Sequence, residues 1–411
     1  MQHDQLRIDG ARLWDRLMSM AEIGATAKGG CNRQALTDED KMGRDLFCEW
    51  SRNAGCSIRF DQMGNIFARR AGSDFDASPV IAGSHLDTQP TGGKFDGVYG
   101  VLAALEVIET LNDNDVETQH PVEAIVWTNE EGARFAPAMI GSGVYSGEFE
   151  LEFAHDIQDK SGLTLGGELQ RIGYAGDNPC APSAVQAAFE AHIEQGPILE
   201  AQDKTIGVVT GVQGMRWFDI NLVGEPVHAG PTPMEMRKDP IRALQVIIGE
   251  VYKIADRFAP QSRATFGDLN LTPGSRNTVP ENVTLAVDIR NPDDDKLDQM
   301  EEQMMAAIEK AASDAGVACS VDTIWRSPAV NFNDDCINAV RTGVETLGID
   351  AIEMVSGAGH DSVYLSRVAP TSMIFVPCRD GISHNEAEDA QPEHLEAGTN
   401  VLLHAILERA L

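Results

Sequence analysis

The sequence predicts an α/β protein in which a domain with a mostly parallel sheet carries an inserted, ferredoxin-like α+β domain. Helical and strand-like hydrophobic patterns alternate in the first half and again near the C-terminus, which is typical of a layered α/β domain. Between these regions the order changes to β-α-β-β-α-β. A chain of 411 residues also exceeds the size at which one hydrophobic core usually stops growing. These observations favour two domains over one.

The main domain is predicted in two parts, residues 1–212 and 328–411. In the first part, "GVLAALEVIETL" indicates a helix, and "PVEAIVW" and "IGVVTGV" indicate buried strands. In the second part, "DCINAVRTGVETLG" predicts a helix, "TSMIFVP" a strand, and the segment after Pro392 a C-terminal helix. The alternation of strands and helices is what a parallel sheet requires.

The inserted domain is predicted over residues 213–327. It begins with the strand "RWFDINLVG", followed by the helix "DPIRALQVIIGEVYKIADRF". One face of this helix is apolar and consists of Ile241, Leu244, Ile248, Val251 and Ile254. The strands "ATFGDLNLT" and "NVTLAVDIR", the helix "DDKLDQMEEQMMAAIEKAASDAG" and the strand "ACSVDTIW" complete the split-βαβ unit.

Charge and composition exclude several classes of partner. The chain has 64 Asp and Glu against 32 Lys and Arg, a formal net charge of −32, which repels nucleic acid and anionic lipid. It lacks an apolar stretch of the roughly 18 residues that a membrane span needs, and its first residues do not resemble a signal peptide. Its seven cysteines show no CxxC spacing, so we expect reduced thiols and a cytoplasmic protein.

Metal-ligand residue types follow four of the predicted buried strands. His85 ends "IAGSHLD", Glu130 and Glu131 follow "AIVWT", His192 lies in "FEAHIEQG", and His384 follows "MIFVP". In open α/β sheets, ligands bind beyond the carboxyl ends of the strands. With Asp96 in the glycine-rich loop "PTGGKFDG", the set has three histidines and two carboxylates, which suits zinc, cobalt, nickel or manganese.

Each of these residues, taken singly, also fits an ordinary structural role. A buried histidine commonly satisfies a hydrogen bond in the core, and "NEEG" reads as a polar strand exit. Their joint occurrence at four strand ends favours a metal centre. Asp87 is placed to accept the second ring N–H of His85, and Glu130 beside Glu131 can face a water molecule as general base while its neighbour binds metal.

A set of motifs in this chain resembles the amidase, hydantoinase and carbamoylase branch of the dinuclear metallo-aminoacylase and carboxypeptidase superfamily. The motifs run from about Gly83 to Glu388, and they are "GSHLDT", "GGKFDG", "TNEEGARF", "HIEQG", "GEPVHAGPTPMEMRKDP", "GSRNTVP", "DIR", "GAGHDS" and "GISHNEAE". The resemblance implies a metallopeptidase-like catalytic domain and an inserted lid or dimerisation domain, so that the protein is expected to form a homodimer.

The resemblance also implies two divalent metal ions per subunit. Asp96 would bridge them, with His85 and His192 completing one site and Glu131 and His384 completing the other. Glu130 would be the general base, and Asp87 would lie behind His85 as a catalytic residue. Relatives hold the peptide bond after the bridging aspartate in the cis form, so a cis bond is expected between Asp96 and Gly97.

Substrate contacts are expected mainly from the inserted domain. Relatives use the histidine of "HAG", the asparagine of "RNT" and the arginine of "DIR", which correspond here to His228, Asn277 and Arg290. His228 would stabilise an oxyanion, and the other two would hold a carboxylate. Further pocket candidates are Gln195, His360 and Arg216.

The resemblance implies hydrolysis of the carbamoyl C–N bond of a small anionic substrate, an N-carbamoyl L-amino acid, releasing amino acid, carbon dioxide and ammonia. β-Ureidopropionate differs by one methylene and is not excluded, and allantoate is the substrate of a sibling activity. Two more distant alternatives are a metallo-aminoacylase or dipeptidase and a non-catalytic binding protein. The second would be favoured by loss of a ligand or of Glu130, and all of these residues are present.

Overall fold

A computed structural model describes residues 3–411 of the chain. Five of the longer α-helices are capped by polar side chains: Asp9, Thr37, Asp239, Asp293 and Asn333 each accept a hydrogen bond from a backbone N–H of the first turn. The α-helices are α1 (Gly10–Ala21), α2 (Asp38–Asn53), α3 (Val98–Asp113), α4 (Ile140–Ser146), α5 (Leu151–Asp156), α6 (Leu165–Ile172), α7 (Ile198–Ala201), α8 (Pro240–Arg257), α9 (Asp294–Ala315), α10 (Asp334–Leu347), α11 (Asp361–Leu365) and α12 (Pro392–Ala410).

The strands form two sheets. They are β1 (Ser57–Phe60), β2 (Ile66–Arg70), β3 (Val80–His85), β4 (Val122–Trp127), β5 (Ala187–Ile193), β6 (Ile206–Val212), β7 (Gly214–Val223), β8 (Arg263–Thr272), β9 (Asn282–Asn291), β10 (Ala318–Ser327), β11 (Val330–Asn331), β12 (Ala351–Ser356) and β13 (Thr371–Val376). Within the described chain, one sheet has the order β1-β2-β4-β3-β5-β13-β6-β11, with β12 paired to β6, and the other has the order β10-β7-β9-β8.

The first compact unit consists of the chain up to Thr210 and from Phe332 onward. The four central strands of its sheet, β4, β3, β5 and β13, are parallel, and the strands β2 and β6 on either side of them pair antiparallel. All four central strands are buried along their whole length, as parallel strands covered on both faces must be. Their carboxyl ends therefore lie at the same edge of the sheet.

A fully buried ion pair lies within this unit. Arg44 of α2 donates from Nε to Asp40 Oδ2 at 2.8 Å and from a terminal nitrogen to the carbonyl oxygen of Gly64 at 2.8 Å. Both side chains of the pair are inaccessible to solvent. Removing one partner would leave the other charge buried and unpaired, which is the costly way to break such a pair.

The second compact unit spans residues 211–331, compared with the expected 213–327. Its antiparallel strands follow the order fourth-first-third-second of the split-βαβ unit, and the two long helices α8 and α9 cover one face. Apolar side chains alternate along β9, with Val283, Leu285, Val287 and Ile289 facing the helices. The predicted helix face also includes Ile247, which is fully buried and which the sequence analysis omitted.

None of the described helices is both long and apolar enough to cross a bilayer.

Candidate metal centre and active site

The predicted ligands come together at the carboxyl edge of the four parallel strands. His85 is the last residue of β3, His192 is the sixth residue of β5, and Glu131 follows β4 by four residues. His384 lies on the loop after β13, and Asp96 precedes α3 by two residues. Five residues distant in sequence are thus brought to one place because parallel strands end at the same edge of the sheet.

Asp96 lies between two groups of ligand atoms. Its Oδ1 atom is 3.2 Å from His192 Nε2 and 3.6 Å from His85 Nε2. Its Oδ2 atom is 3.5 Å from His384 Nε2, which in turn is 3.3 Å from Glu131 Oε2. The five side chains therefore form two potential metal positions that share one carboxylate.

The spacing of these atoms fits bound metal ions. A tetrahedral ion with bonds of about 2.0–2.2 Å keeps neighbouring ligand atoms about 3.3–3.6 Å apart. The four distances, three from Asp96 and one between His384 and Glu131, lie between 3.2 and 3.6 Å. Imidazole and carboxylate ligands of this kind suit zinc, manganese, cobalt or nickel.

The buried carboxylates of the site also favour the binding of cations. Burial raises the pKa of Glu131 to about 8, and the neighbouring charge of Asp96 adds to the shift. Burial likewise raises the pKa of Glu130 well above its ordinary value. Burial alone would lower the pKa of His85, but the carboxylates of Glu130 and Asp96 outweigh it and raise that pKa. A cluster of carboxylates this deeply buried is costly in charged form unless a cation compensates it.

The second ring nitrogen of His85 does not bond to the Asp87 carboxylate, which was its expected partner. Its Nδ1 atom is 2.9 Å from the backbone carbonyl oxygen of Asp87, whereas the Asp87 carboxylate is 4.0 Å away. That carboxylate instead accepts hydrogen bonds from the backbone N–H groups of Glu130 and Glu131, each at 3.2 Å. The Asp87 side chain thus orients the backbone that follows β4 and carries Glu130, the candidate general base.

Glu130 faces the buried half of the centre. Its Oε2 atom is 3.5 Å from His85 Nε2, and the residue is only 8% exposed. A buried carboxylate with a raised pKa, next to two potential metal positions, is suited to accept a proton from an attacking water molecule.

The expected cis peptide bond after Asp96 is absent. Among residues 3–411, cis bonds precede only Pro137, Pro260 and Pro273, so this prediction was wrong. The chain instead reverses in a γ-turn, in which Val98 N donates to Asp96 O at 2.7 Å and Gly97 has φ 67° and ψ −48°. A Cβ atom on Gly97 would lie 2.3 Å from the His85 ring, so only glycine fits both the backbone and the packing here.

Two further pocket candidates contact this centre. Gln195 donates from Nε2 to Asp96 Oδ2 at 2.7 Å, and its buried Oε1 atom accepts no hydrogen bond from the described residues. The His360 ring lies 4.6 Å from that of His192, centroid to centroid, and burial lowers the pKa of His360 well below its ordinary value. The first offers an unused acceptor, and the second is an imidazole whose burial disfavours the charged form.

Three candidate substrate contacts, His228, Asn277 and Arg290, belong to the second unit. His228 and Asn277 lie on two neighbouring loops, since Ala229 N donates to the carbonyl oxygen of Asn277 at 2.8 Å. Gly230 N donates to His228 Nδ1 at 3.0 Å, so the ring proton of the neutral histidine is on Nε2. Arg290 lies on β9 with its side chain on the face opposite the two helices.

Arg216 differs from the expected substrate contact. Its side chain lies on the helix-covered face of the sheet, opposite to that of Arg290, and its guanidinium pairs with Asp298 and Glu301 of α9. Two arginines on opposite faces of one sheet cannot hold the same carboxylate from this sheet. The structure therefore gives Arg216 the role of joining β7 to α9.

Three polar residues around the ligands were not predicted from the sequence. Gln89 donates from its backbone N and from Nε2 to the two carboxylate oxygens of Glu131, at 3.1 and 2.8 Å. Ser383 donates to Asp96 Oδ2 at 2.6 Å, and Glu388 accepts from the backbone N–H of Asp96 at 3.1 Å. Glu388 stands in the quoted motif "GISHNEAE", but a glutamate four residues from a ligand carries no signal of which backbone it meets.

The model of the peptidase family M20/M25/M40 matches residues 81–408. The chain belongs to this family. Members similar to it include an N-carbamoyl-L-amino-acid amidohydrolase of Rhizobium meliloti, 48% identical over 98% of this chain and 97% of the relative. An allantoate amidohydrolase of Bacillus subtilis is 34% identical over 94% and 95% of the two chains.

Among solved structures, a hydantoinase/carbamoylase family amidase of Burkholderia multivorans is similar over 98% of both chains, with 54% identity and a TM-score of 0.96. The likeness covers both units of the M20/M25/M40 fold. The fold class and the family resemblance inferred from the sequence are confirmed.

Proposed function

We propose that this enzyme hydrolyses the carbamoyl C–N bond of N-carbamoyl L-amino acids and releases the amino acid, carbon dioxide and ammonia. The observation that carries the proposal is the pair of ligand groups sharing Asp96, with the buried carboxylate of Glu130 beside them. The relative from Rhizobium meliloti is named for this activity. A carbamoylated amino acid is a small anion: a divalent ion can polarise its carbonyl oxygen, and an arginine can bind its carboxylate.

The cofactors we propose are two divalent metal ions, held by His85, His192 and Asp96 at one position and by Asp96, Glu131 and His384 at the other. Bound divalent ions of this kind polarise a carbonyl oxygen and lower the pKa of water. The residues of the chain supply the remaining chemistry, and zinc, manganese, cobalt and nickel all suit these ligands.

Glu130 takes the proton of the attacking water and returns it to the leaving nitrogen. The Oε1 atom of Gln195, buried and without a partner in the described chain, accepts an N–H of the ureido group. An acyl group without such N–H donors would leave this acceptor unpaired, at a cost of about 1–3 kcal/mol. The Gln195 acceptor therefore favours a ureido substrate over a simple acyl amide.

Three residues of the second unit are the proposed substrate contacts. The Nε2–H of His228 donates to the developing oxyanion. Asn277 and Arg290 hold the α-carboxylate, and the planar guanidinium is suited to bidentate binding of that group. This contact orients the substrate as well as binding it.

We further propose that the enzyme is a cytoplasmic homodimer that pairs through the second unit. Leu269 and Leu271 are exposed on β8, an edge strand, and an exposed apolar edge is suited to pairing with a second copy. All seven cysteines, which lie within the described chain, are free thiols, in keeping with a reducing compartment.

Allantoate is the second candidate substrate, because the relative from Bacillus subtilis is named for its hydrolysis. It also carries a ureido group next to a carboxylate, so the same residues would bind either substrate. N-carbamoyl-β-alanine, the β-ureidopropionate of the sequence analysis, is the third.

The proposal is tested by comparing kcat/KM for four compounds on enzyme reconstituted with Mn²⁺, Co²⁺, Ni²⁺ or Zn²⁺. These are N-carbamoyl-L-methionine, N-carbamoyl-β-alanine, allantoate and N-acetyl-L-methionine. We expect the highest value for the first, with ammonia and methionine released in equal amounts. Turnover of the acetyl compound alone would identify an aminoacylase, and a preference for allantoate would select the second candidate.

A further inference from the structure

We infer that the two metal positions differ in affinity, so that they fill in a defined order. The buried position (His85, His192 and Asp96 Oδ1) holds its ion at least tenfold more tightly than the open position (Asp96 Oδ2, Glu131 and His384). The inference rests on the proposed dinuclear centre and adds to it an order of loading and a residue, Gln89, that acts on one position only.

The first reason is the rigidity of the ligands. His85 and His192 lie on β3 and β5, two adjacent central strands, and their side chains are 2% and 1% exposed. His384 lies on a loop eight residues beyond the end of β13, and its side chain is 53% exposed. An exposed loop side chain has rotamer freedom to lose when it binds an ion, whereas a packed strand residue has already lost it during folding.

The second reason is the orientation of the rings. The Nδ1 atoms of His85 and His192 are each 2.9 Å from a backbone carbonyl oxygen, those of Asp87 and Ile193. These hydrogen bonds put the ring proton on Nδ1 and leave Nε2 of each ring as the atom with a lone pair, within 3.6 Å of Asp96 Oδ1. In His192 this atom also accepts the backbone N–H of Gly97 at 3.1 Å, a contact that a bound ion would replace. In the described chain no such acceptor holds Nδ1 of His384, whose close contacts are two carboxylates at Nε2. Loss of one outer partner of this kind typically lowers metal affinity about 10–100-fold.

The third reason is that the open position depends on one glutamine. Gln89 bonds both carboxylate oxygens of Glu131 and so holds the only carboxylate that belongs to the open position alone. In the described chain its side-chain amide makes no hydrogen bond to either histidine of the buried position. Removing its side-chain amide should therefore weaken the open position and leave the buried one unchanged.

The experiment titrates chelator-treated, full-length protein with Mn²⁺, followed by isothermal calorimetry and electron paramagnetic resonance. We expect two classes of site, the first at least tenfold tighter. The spectrum should show an isolated Mn²⁺ ion after the first equivalent and spin-coupled ions after the second, because Asp96 belongs to both positions.

Variants assign the two classes. Gln89→Leu should lower the affinity of the second class about 10–100-fold and leave the first unchanged. Gln34→Leu is the matched control, because the Gln34 amide donates to Asn32 and to none of the proposed ligands. Should Gln89→Leu fail to fold, His384→Ala removes an exposed loop side chain and should abolish the second class alone, whereas His85→Ala should abolish the first.

Three results would overturn the inference. They are a single class of two equal sites, loss of the tight class in His384→Ala, and weakening of the first class in Gln89→Leu. The readout separates this inference from the proposed function. Two equal sites in an enzyme that releases ammonia would refute the loading order alone, whereas failure to bind Mn²⁺, Co²⁺, Ni²⁺ or Zn²⁺ would refute the metal centre itself.

Discussion

Replacing Glu130 with glutamine should abolish most of the catalytic rate while leaving the metal centre in place. Glutamine has the same shape and keeps an oxygen facing His85, but it cannot accept a proton from water. General-base catalysis contributes about 10²–10⁴-fold to a rate, equivalent to about 2.7–5.5 kcal/mol of transition-state stabilisation. We therefore expect kcat to fall by about 10²–10⁴-fold, with a much smaller change in KM.

The Glu130→Gln variant should keep both its metal binding and its thermal stability. Glu130 belongs to neither ligand group, so two metal ions per subunit should still bind. Burial holds the pKa of Glu130 well above that of an unfolded chain, so its charged form opposes folding of the metal-free protein. Glu130→Gln should therefore melt at the same temperature as wild type or higher when metal is removed.

The assay measures steady-state ammonia release from N-carbamoyl-L-methionine together with metal content by mass spectrometry. Glu123→Gln is the matched control, because Glu123 is also buried but lies near the start of β4, where it pairs with Arg69 and Arg59. It should keep wild-type kcat. Retention of more than a tenth of the activity in Glu130→Gln, with both ions bound, would refute the role of Glu130 as base.

Three other predictions test separate parts of the account. Arg290→Lys should raise KM for N-carbamoyl-L-methionine about tenfold or more and leave the KM of its carboxamide analogue unchanged; equal effects on both would refute carboxylate binding. Gly97→Ala should prevent metal binding as measured by calorimetry, because the new methyl group meets an imidazole, whereas Gly55→Ala, also at positive φ but in open space, should bind metal normally. Arg44→Met should lower the free energy of unfolding by about 3–5 kcal/mol in denaturant titrations, against about 0–1 kcal/mol for Lys41→Met in an exposed pair; similar losses would contradict the buried-pair argument.

Long periodic segments were predictable because burial forces a simple pattern on them. The strand "IGVVTGV" is β6 residue for residue, and the predicted helix after Pro392 is α12. The inserted unit follows the predicted β-α-β-β-α-β order, since each element shows its apolar period without help from distant residues. The short antiparallel strands β1 and β2 were not predicted, because four or five residues with mixed burial show no clear period.

The convergence of the candidate ligands was predictable because metal chemistry restricts residue types and sheet geometry restricts where they occur. His85 and His384 are almost 300 residues apart in sequence, yet both follow parallel strands and so reach one edge. The supporting contacts were not predictable in the same way. Whether His85 meets the carboxylate or the carbonyl oxygen of Asp87 depends on backbone direction at atomic scale, and the same holds for the γ-turn at Gly97.

The most direct test of the central claim is product analysis on metal-stripped and Mn²⁺-reconstituted enzyme, with N-carbamoyl-L-methionine as substrate. The account predicts that methionine and ammonia appear in a one-to-one ratio, and only when metal is restored. Turnover that persists in the metal-stripped enzyme, or methionine formed without ammonia, would contradict a metal-dependent carbamoyl hydrolase.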